Sequence, residues 1–281
     1  MKLIGITSSK TENRTFANTS YANAFTRPNV MPVILPQFSI DNKEVVSQDE
    51  YAIIHKDHID SIVDKLDGLV LSGGIDINPL SFDENNWASN GCDTERDMTE
   101  MALARAFLST NKPIMGICRG YQLLFRILGA DHFQQDLTHS DETHNGLDKD
   151  FKDRSESFHS IYLLGDLAAY FKNKTGQDFT QQSLKVNSYH HQGFTLTSNG
   201  TRPDGGKLKD RMTRTQYTNW LGDAINKYQQ DNGINILGCT RLVIEAMEKP
   251  DVKAYGLQYH IEEYGNKSLG IQYWIDKYLT D

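Results

Sequence analysis

The sequence lacks long apolar runs and any excess of positive charge, and each absence excludes a class of protein. No apolar stretch approaches the ~18 residues of a membrane-spanning helix, and the one at the first residues is too short for a secretory signal peptide. A net charge of −8 at pH 7 argues against a general nucleic-acid-binding surface. The 281 residues suffice for one large α/β domain or two small ones. We expect a cytoplasmic globular protein with neither membrane nor nucleic acid as a partner.

Cysteine is scarce, with three residues among 281. An odd number of cysteines without metal-ligand spacing fits a reducing compartment better than a disulfide framework. We therefore expect no metal site and no disulfide scaffold. The three are Cys92, Cys118 and Cys239.

The first half of the chain alternates short apolar runs with helical patterns. The predicted strands are Leu3–Thr7, Asn29–Leu35, Gly68–Leu71 and Lys112–Cys118. The predicted helices are Ile59–Leu66, a longer one from Asp93 or Thr94 to about Leu108, and Tyr121–Leu128. This alternation predicts an α/β fold with a mostly parallel central sheet and helices on both faces. Functional groups in such sheets lie beyond the carboxyl ends of the strands.

The second half is less regular. Helical patterns cover Ile161–Phe171 and Ser268–Leu279, and strand patterns cover Ile234–Cys239, Leu242–Met247 and Lys253–Tyr259. The segment Thr197–Asn232 is polar and rich in Gly and Asn, and only its part around Thr218–Tyr228 has a helical pattern. No internal repeat is apparent, so we expect residues 1–281 to form a single domain with a surface insertion at about 197–232.

Cys118 stands between Gly116 and Gly120, where a predicted strand gives way to a predicted helix. A buried strand that turns sharply into a helix presents a nucleophile at the edge of a parallel sheet. The glycines would let the backbone take a strained turn without a Cβ clash, and the helix N-terminus would lower the pKa of a thiol, ordinarily ~8.5. The alternative is a structural cysteine ending a core strand. The flanking glycines and the histidine described next favour a nucleophile elbow.

A thiol nucleophile needs a base, and the base needs a group that orients it. His260 follows a predicted strand, and Glu262 lies two residues further on. Acyl transfer also builds negative charge on a carbonyl oxygen, which backbone N–H groups can stabilise. The glycine loop at residues 72–74 and the N–H of Arg119 offer such donors. Each feature alone is more often structural, and only their combination indicates acyl transfer.

Three segments resemble motifs of class I glutamine amidotransferases. They are the G-x-C-x-G-x-Q nucleophile motif at 115–122, the oxyanion loop at 71–76 and the Q-x-H-P-E motif at 258–262. Residues 93–97 and 186–192 are similar to the gamma-glutamyl-gamma-aminobutyrate hydrolase (gamma-glutamyl peptidase) branch. The resemblance covers most of the chain. It implies a flavodoxin-like fold and a hydrolase that cleaves γ-glutamyl amides into glutamate and an amine.

The resemblance also assigns roles to residues. It implies a γ-glutamyl thioester mechanism that needs neither metal nor organic cofactor. The implied catalytic residues are Cys118, His260 and Glu262, and the implied oxyanion donors are the N–H groups of Gly74 and Arg119. The implied substrate-binding residues are Gly73, Gln122, Ser188, His190 and His191.

The sequence departs from the family pattern at two places. Ile261 replaces the proline after the histidine, which alters backbone stiffness and removes no reactive group. The insertion at 197–232 could cap the pocket, bind an anionic part of the substrate, support a homo-oligomer or be a solvated loop. The basic residues of the insertion are Arg202, Lys207, Lys209, Arg211 and Arg214.

Arg96 and Asp97 lie at the start of the predicted long helix. They either form an ion pair there, which we favour, or border the pocket.

Alternative functions remain open at this point. The same catalytic residues would serve a glutaminase subunit that supplies ammonia to a separate synthetase. A catalytically inactive binding module is a third reading, which the intact catalytic residues oppose. Folate γ-glutamyl hydrolysis, or removal of glutamyl groups from a larger molecule, remains within the hydrolase class. The amine is not identified; polyamine or gamma-aminobutyrate metabolism is the expected context.

Overall fold

The computed structural model describes residues 1–39, 47–137, 153–198 and 214–280, and the chain divides into two compact units. Unit 1 comprises Met1–Ile127, Pro250–Gly256 and Ile261–Asp281. Unit 2 comprises Leu128–Lys249 and Leu257–His260. Residues 199–213 of the insertion, which include Arg202, Lys207, Lys209 and Arg211, lie outside the described residues, as does the side chain of Arg214.

The regular elements follow in chain order. The first half contains β1 (Lys2–Thr7), β2 (Ser9–Thr11), β3 (Arg14–Phe16), α1 (Thr19–Phe25), β4 (Val30–Leu35), α2 (Gln48–Ile54), α3 (Lys56–Lys65), β5 (Gly68–Leu71), α4 (Thr94–Ser109), β6 (Ile114–Ile117) and α5 (Arg119–Ile127). The second half contains β7 (Phe133–Gln134), β8 (His159–Leu163), α6 (Gly165–Thr175), β9 (Leu184–Val186), β10 (Gly193–Thr195), α7 (Arg214–Asn232), β11 (Asn235–Cys239), β12 (Val243–Lys249), β13 (Ala254–Leu257) and α8 (Leu269–Tyr278). Short 3₁₀ segments cover Pro79–Phe82, Pro250–Val252 and Ile261–Lys267.

Unit 1 is built on strands in the order β4, β1, β5, β6 and β13. The pairs β1–β4, β1–β5 and β5–β6 are parallel. Every residue of β5 and β6 is buried, as expected for strands inside a parallel sheet. The predicted mostly parallel sheet with helices is therefore confirmed. β4 contains Pro32 and is the first strand in this order, so it lies at an edge, where a residue without a backbone N–H is tolerated.

Unit 2 pairs its strands antiparallel, which the sequence patterns did not indicate. The contacts run from β12 through β11 and β8 to β9, and β10 pairs with both β12 and β7. The prediction of a helix over Ile161–Phe171 is wrong for its first three residues, which belong to β8. Hydrogen bonding of β8 with β9 and β11 overrides the local helical pattern, and α6 begins only at Gly165.

The helix predicted around Thr218–Tyr228 is confirmed and is longer than expected, since α7 covers Arg214–Asn232. Residues 199–213, which precede this helix in the insertion, lie outside the described residues. Among the helices of the described ranges, none combines the length and the apolar character needed to cross a bilayer.

Candidate functional site

The strand-to-helix turn predicted at Cys118 is confirmed. β6 ends at Ile117, α5 begins at Arg119, and the residue between them has a φ of 51°. A non-glycine residue in this left-handed region is uncommon and costs free energy, so the surrounding structure must hold it there. Cys118 is buried, with 4% of its surface exposed. The backbone strain at this turn therefore falls on the cysteine itself.

The flanking glycines serve close packing. A Cβ at Gly116 would lie 2.5 Å from the carbonyl oxygen of Gly120, and one at Gly120 would lie 2.0 Å from the carbonyl oxygen of Leu71. No real Cβ approaches a backbone atom so closely, so both positions exclude any side chain. The expectation that glycines on both sides of Cys118 prevent a Cβ clash at the turn is confirmed, and their lack of side chains lets the start of α5 lie directly against the end of β5.

The oxyanion-loop candidate, residues 72–74, follows β5. The Ser72 N–H donates to Thr7 Oγ1 at 3.0 Å, and Ser72 Oγ donates to the Thr7 carbonyl at 2.7 Å. The Gly73 N–H donates to the phenolic oxygen of Tyr21 at 2.7 Å. Within the described part of the chain, the Gly74 N–H donates to no protein acceptor. Of the two glycine N–H groups, only that of Gly74 is therefore open to a ligand.

Arg96, on α4, holds this loop from the carbonyl side. Its Nη2 donates to the carbonyl oxygens of Ser72 and Gly73 at 3.0 and 2.9 Å, and also to Ser72 Oγ at 2.9 Å. Its Nη1 donates to Ser9 Oγ at 2.9 Å. A Cβ at Gly74 would lie 2.2 Å from Nη1, so glycine is required there by the guanidinium. The side chain of Arg96 is 1% exposed.

A buried network of charges lies behind this contact. Arg96 Nε donates to Glu100 at 2.9 Å, and Arg119 pairs with both Glu100 and Asp97. Arg96 and Asp97 are thus each paired with another residue, in place of the direct pair favoured from the sequence. Because two arginines and two carboxylates meet, the network compensates its own charge, as buried ions require.

The pKa shifts in the network follow its geometry. Burial raises the pKa of Asp97, and its one arginine partner, Arg119, offsets this only in part. Burial acts in the same direction on Glu100, but two arginines outweigh it and lower the pKa. Burial would lower the pKa of Arg119, but the two carboxylates raise it above its ordinary value. The guanidinium of Arg119 is thus engaged in structure, and only its backbone N–H is available for the predicted oxyanion role.

Tyr21 connects the loop with Glu262. Its hydroxyl accepts the Gly73 N–H and is hydrogen-bonded to the Glu262 side chain. Burial, together with the charges of Glu262 and Cys118, raises the pKa of Tyr21 well above its ordinary value. The Gly73 N–H and the Glu262 carboxylate, predicted separately from the sequence, therefore meet at one phenol in unit 1. Sequence reasoning missed Tyr21, because α1 was not predicted and no motif marks it.

Gln122, the glutamine of the predicted nucleophile motif, is the fourth residue of α5. Its N–H donates to the carbonyl oxygen of Cys118 at 3.1 Å, and the residue is buried. Of the predicted site residues, unit 1 therefore contains Gly73, Gly74, Cys118, Arg119, Gln122 and Glu262. The others, Ser188, His190, His191 and His260, belong to unit 2.

In unit 2, the backbone of His260 is held by one side chain, that of Asn187. The His260 N–H donates to Asn187 Oδ1 at 2.9 Å, and Asn187 Nδ2 donates to the His260 carbonyl at 2.9 Å. Asn187 Nδ2 also donates to the carbonyl of Arg154 at 3.0 Å. The ring of Tyr189 meets the His260 imidazole edge to face, with 5.8 Å between centroids. Asn187 thus holds the main chain of His260 and Tyr189 contacts its ring, and both residues belong to the segment 186–192 that resembles the hydrolase branch.

The three predicted substrate contacts in unit 2 differ in their surroundings. Ser188 is fully buried and His191 is half-buried. His190 is buried, with Nδ1 2.8 Å from the Gln192 carbonyl and Nε2 3.8 Å from Glu245 Oε1. Both ring nitrogens of His190 therefore face protein atoms. Substrate binding by these residues stays a prediction.

Glu245 is a buried carboxylate that sequence reasoning missed. It lies on β12 with none of its surface exposed, and its Oε1 is 3.2 Å from Nε2 of His159. The rings of His159 and His190 meet edge to face at 6.4 Å. This carboxylate thus faces two histidines. An alternating strand pattern cannot reveal the pairing, because the three residues lie on separate segments of the chain.

Comparisons with known proteins identify the family and the fold of this chain. Residues 2–205 match the family model described as Peptidase C26. The chain is 28% identical to Protein NtpR of Enterococcus hirae over 197 residues, which cover 68% of this chain and 72% of that protein. It is 31% identical to gamma-glutamyl-gamma-aminobutyrate hydrolase of Escherichia coli O157:H7 over 111 residues, which cover 39% of this chain and 38% of that protein.

Among solved structures, the glutaminase domain of Trypanosoma brucei CTPS, with bound acivicin, is similar in fold. The TM-score is 0.55 at 12% identity, with 100% of this chain and 95% of that chain covered. This likeness supports the α/β architecture. The match over residues 2–205, which includes the loop at 72–74 and the turn at Cys118, shows that the chain belongs to the Peptidase C26 family of class I glutamine amidotransferase-like proteins.

Proposed function

We propose that this protein hydrolyses the γ-glutamyl amide bond of a γ-glutamyl-amine, releasing glutamate and the free amine. Membership in Peptidase C26 supports a hydrolase. The observation that carries the proposal is the buried thiol of Cys118 at a strained strand-to-helix turn, in the same unit as a glycine loop whose Gly74 N–H is open. A nucleophile and an oxyanion donor are two of the groups that acyl transfer requires, beside the base.

The proposed reaction has two steps. The Cys118 thiolate attacks the γ-carbonyl carbon, and the oxyanion is stabilised by the N–H groups of Gly74 and Arg119. His260 gives its proton to the leaving amine as the C–N bond breaks, which leaves a γ-glutamyl thioester. His260 then takes a proton from water, which attacks the thioester and releases glutamate and the thiolate. Glu262 orients His260 throughout.

Two features support the assignment of these roles. Glu262 is buried and hydrogen-bonded to Tyr21, so its carboxylate is held in place. The His260 backbone is clamped by Asn187, so its imidazole starts from a fixed main chain. Catalytic groups must be held within a fraction of an ångström of their working geometry, and these contacts, each within one unit, support that role by restraining the two residues.

Substrate recognition is proposed on the same basis. Gly73, Gln122, Ser188, His190 and His191 are the candidate contacts for the glutamyl group. The gamma-glutamyl-gamma-aminobutyrate hydrolase of Escherichia coli matches over only 39% of this chain, which supports the γ-glutamyl class and does not select the amine. The alternative is a glutaminase subunit that supplies ammonia to a synthetase, which uses the same chemistry on glutamine.

The test is glutamate release from a panel of γ-glutamyl amides compared with free glutamine. The panel contains the amides of gamma-aminobutyrate, putrescine, spermidine, ethanolamine and glutamate. We expect strong release from one amide and weak release from glutamine. Release from glutamine alone would favour the glutaminase subunit, and release from nothing, with Cys118 reactive, would reject a small γ-glutamyl amide as substrate.

Two cysteine variants separate catalysis from folding. Cys118→Ala should abolish turnover, since no other group replaces the nucleophile. Cys239→Ala is the matched control, because it too removes a buried thiol. It should lose stability by about 1 kcal/mol, as an ordinary small core substitution does, and keep its turnover. Turnover retained by Cys118→Ala would contradict the proposed mechanism.

A further inference from the structure

The two successive peptide units of the oxyanion loop at residues 72–74 make different hydrogen bonds. In the Ser72–Gly73 peptide, the carbonyl accepts from Arg96 Nη2 and the N–H donates to Tyr21. In the Gly73–Gly74 peptide, the carbonyl accepts from the same Nη2 at 2.9 Å, and the N–H is the one open to a ligand. Arg96 therefore bonds to the opposite end of the peptide unit that carries the predicted oxyanion donor.

Peptide planarity makes that contact important. The carbonyl and N–H of a trans peptide lie in one plane and point in opposite directions. A hydrogen bond that fixes the direction of the Gly73 carbonyl therefore fixes the direction of the Gly74 N–H. Arg96 reaches the carbonyl with its planar guanidinium group. Hydrogen bonds to Glu100 and Ser9 hold that group, so its rotation is restricted.

The charge of Arg96 has a second effect. A cation that bonds to a peptide oxygen draws electron density toward that oxygen and makes the N–H of the same peptide a stronger donor. Hydrogen bonds in a chain strengthen one another in this way, and the effect is larger where water is excluded. The side chain of Arg96 is 1% exposed, so solvent screens its charge little. A glycine at position 74 lets the guanidinium come this close.

We infer that Arg96 is a positioning residue for the reaction: it orients and polarises the Gly73–Gly74 peptide so that the Gly74 N–H stabilises the oxyanion. Tyr21 completes the arrangement by engaging the Gly73 N–H, which prevents rotation of the preceding peptide. Removal of the Arg96 fork should weaken any reaction of Cys118 that forms an oxyanion. It should spare reactions of the same thiolate that form none.

This inference deepens the proposed function, and two small probes test it without a γ-glutamyl substrate. Acetylation of Cys118 by p-nitrophenyl acetate passes through a tetrahedral oxyanion: the thiolate attacks the carbonyl carbon and p-nitrophenolate leaves. Reaction with methyl methanethiosulfonate forms a methyl disulfide and releases methanesulfinate, and no carbonyl is involved. Both rates are measured on the Cys118 peptide by mass spectrometry, so Cys92 and Cys239 do not interfere.

The decisive variant is Arg96→Lys, which keeps the positive charge beside Glu100 and removes the fork. We expect acetylation to slow by about 10- to 100-fold, somewhat less than the ~10²–10³-fold cost of losing an oxyanion donor outright. The rate with methyl methanethiosulfonate should stay within about twofold of that of the original protein, the scale of an unrelated substitution. Equal slowing of both reactions would overturn the inference, as would no slowing of either.

Two further variants complete the test. Arg126→Lys is the matched control, since Arg126 stacks on Phe82 at 3.9 Å and pairs with Glu84 away from the loop. Both of its rates should be unchanged. Tyr21→Phe keeps the buried ring and frees the Gly73 N–H, so it should slow acetylation selectively even if Arg96→Lys does not fold. If Tyr21→Phe slows neither reaction, the loop does not depend on these contacts. A protein that acetylates normally and hydrolyses no γ-glutamyl amide would refute the proposed function and leave this inference standing.

Discussion

The clamp on His260 can be tested by a single substitution, Asn187→Ala. Asn187 has no exposed surface, and its amide makes both hydrogen bonds to the main chain of His260. Alanine leaves that N–H and that carbonyl without their partner. The variant therefore removes the support of the proposed base and leaves the base itself intact.

The magnitude follows from burial. His260 is 6% exposed, so water cannot easily replace the lost amide. An unsatisfied buried donor or acceptor costs about 1–3 kcal/mol, so the two together should cost about 2–6 kcal/mol. The third partner of Asn187, the Arg154 carbonyl, belongs to an exposed residue and should add little. Since an imidazole displaced by 1 Å can lower the rate by about 100-fold, turnover should fall by at least that order.

Two measurements read the effect. Amide hydrogen exchange at His260 should accelerate by about 30-fold or more, because each 1.4 kcal/mol corresponds to a factor of ten. Turnover of the substrate identified from the panel should fall in parallel. Methyl methanethiosulfonate labelling at a pH where the thiolate predominates should still reach Cys118, since the nucleophile belongs to the other unit.

Asn232→Ala is the matched control. Asn232 also accepts one main-chain N–H, from Asp131, and donates to one carbonyl, that of Tyr228, at 2.9 Å each. It is only half-buried, so water can replace its amide, and none of these partners is a predicted site residue. If Asn187→Ala retains the turnover and the His260 exchange rate of Asn232→Ala, the clamp does not position the base.

Two further predictions concern packing and titration. Gly120→Ala should destabilise the protein by about 1–3 kcal/mol or more, because its Cβ would lie 2.0 Å from the Leu71 carbonyl oxygen. Gly222→Ala, on α7 with nothing within 4 Å of the new Cβ, should stabilise the protein by about 0.5–1 kcal/mol. In urea unfolding, the midpoint should shift down for Gly120→Ala and up for Gly222→Ala, and shifts in the same direction would contradict this reasoning. Burial raises the pKa of Tyr51 from 10.0 to about 12, so its contribution to stability is complete below pH 10 and is lost as the pH approaches 12. The difference between the spectrophotometric titrations of the original protein and of Tyr51→Phe should show a phenol that ionises near pH 12; identical titration curves would contradict that environment.

Much of unit 1 was predictable because its signals are local. The strands β1, β5 and β6 are short apolar runs, and the Gly-x-Cys-x-Gly pattern marks a turn where backbone segments touch. The order of strands and helices then implies a parallel sheet. Unit 2 was less predictable, because its short strands are stabilised by antiparallel partners distant in sequence. β8 illustrates this: the local pattern predicts a helix for Ile161, Tyr162 and Leu163, and only pairing with β9 and β11 makes them part of a strand.

The proposed catalytic residues are marked by short sequence motifs, but the residues that hold them in place are not. Cys118, His260 and Glu262, the proposed catalytic residues, can be chosen from the sequence because acyl transfer by a thiol requires those residue types and short motifs mark them. Nothing local connects Gly73 with Tyr21, 52 residues away, or Asn187 with His260, 73 residues away. A hydrogen bond forms only where the fold brings donor and acceptor within about 3 Å, whatever their separation in the chain. The grip on the oxyanion loop and the clamp on the histidine are therefore properties of the tertiary structure alone.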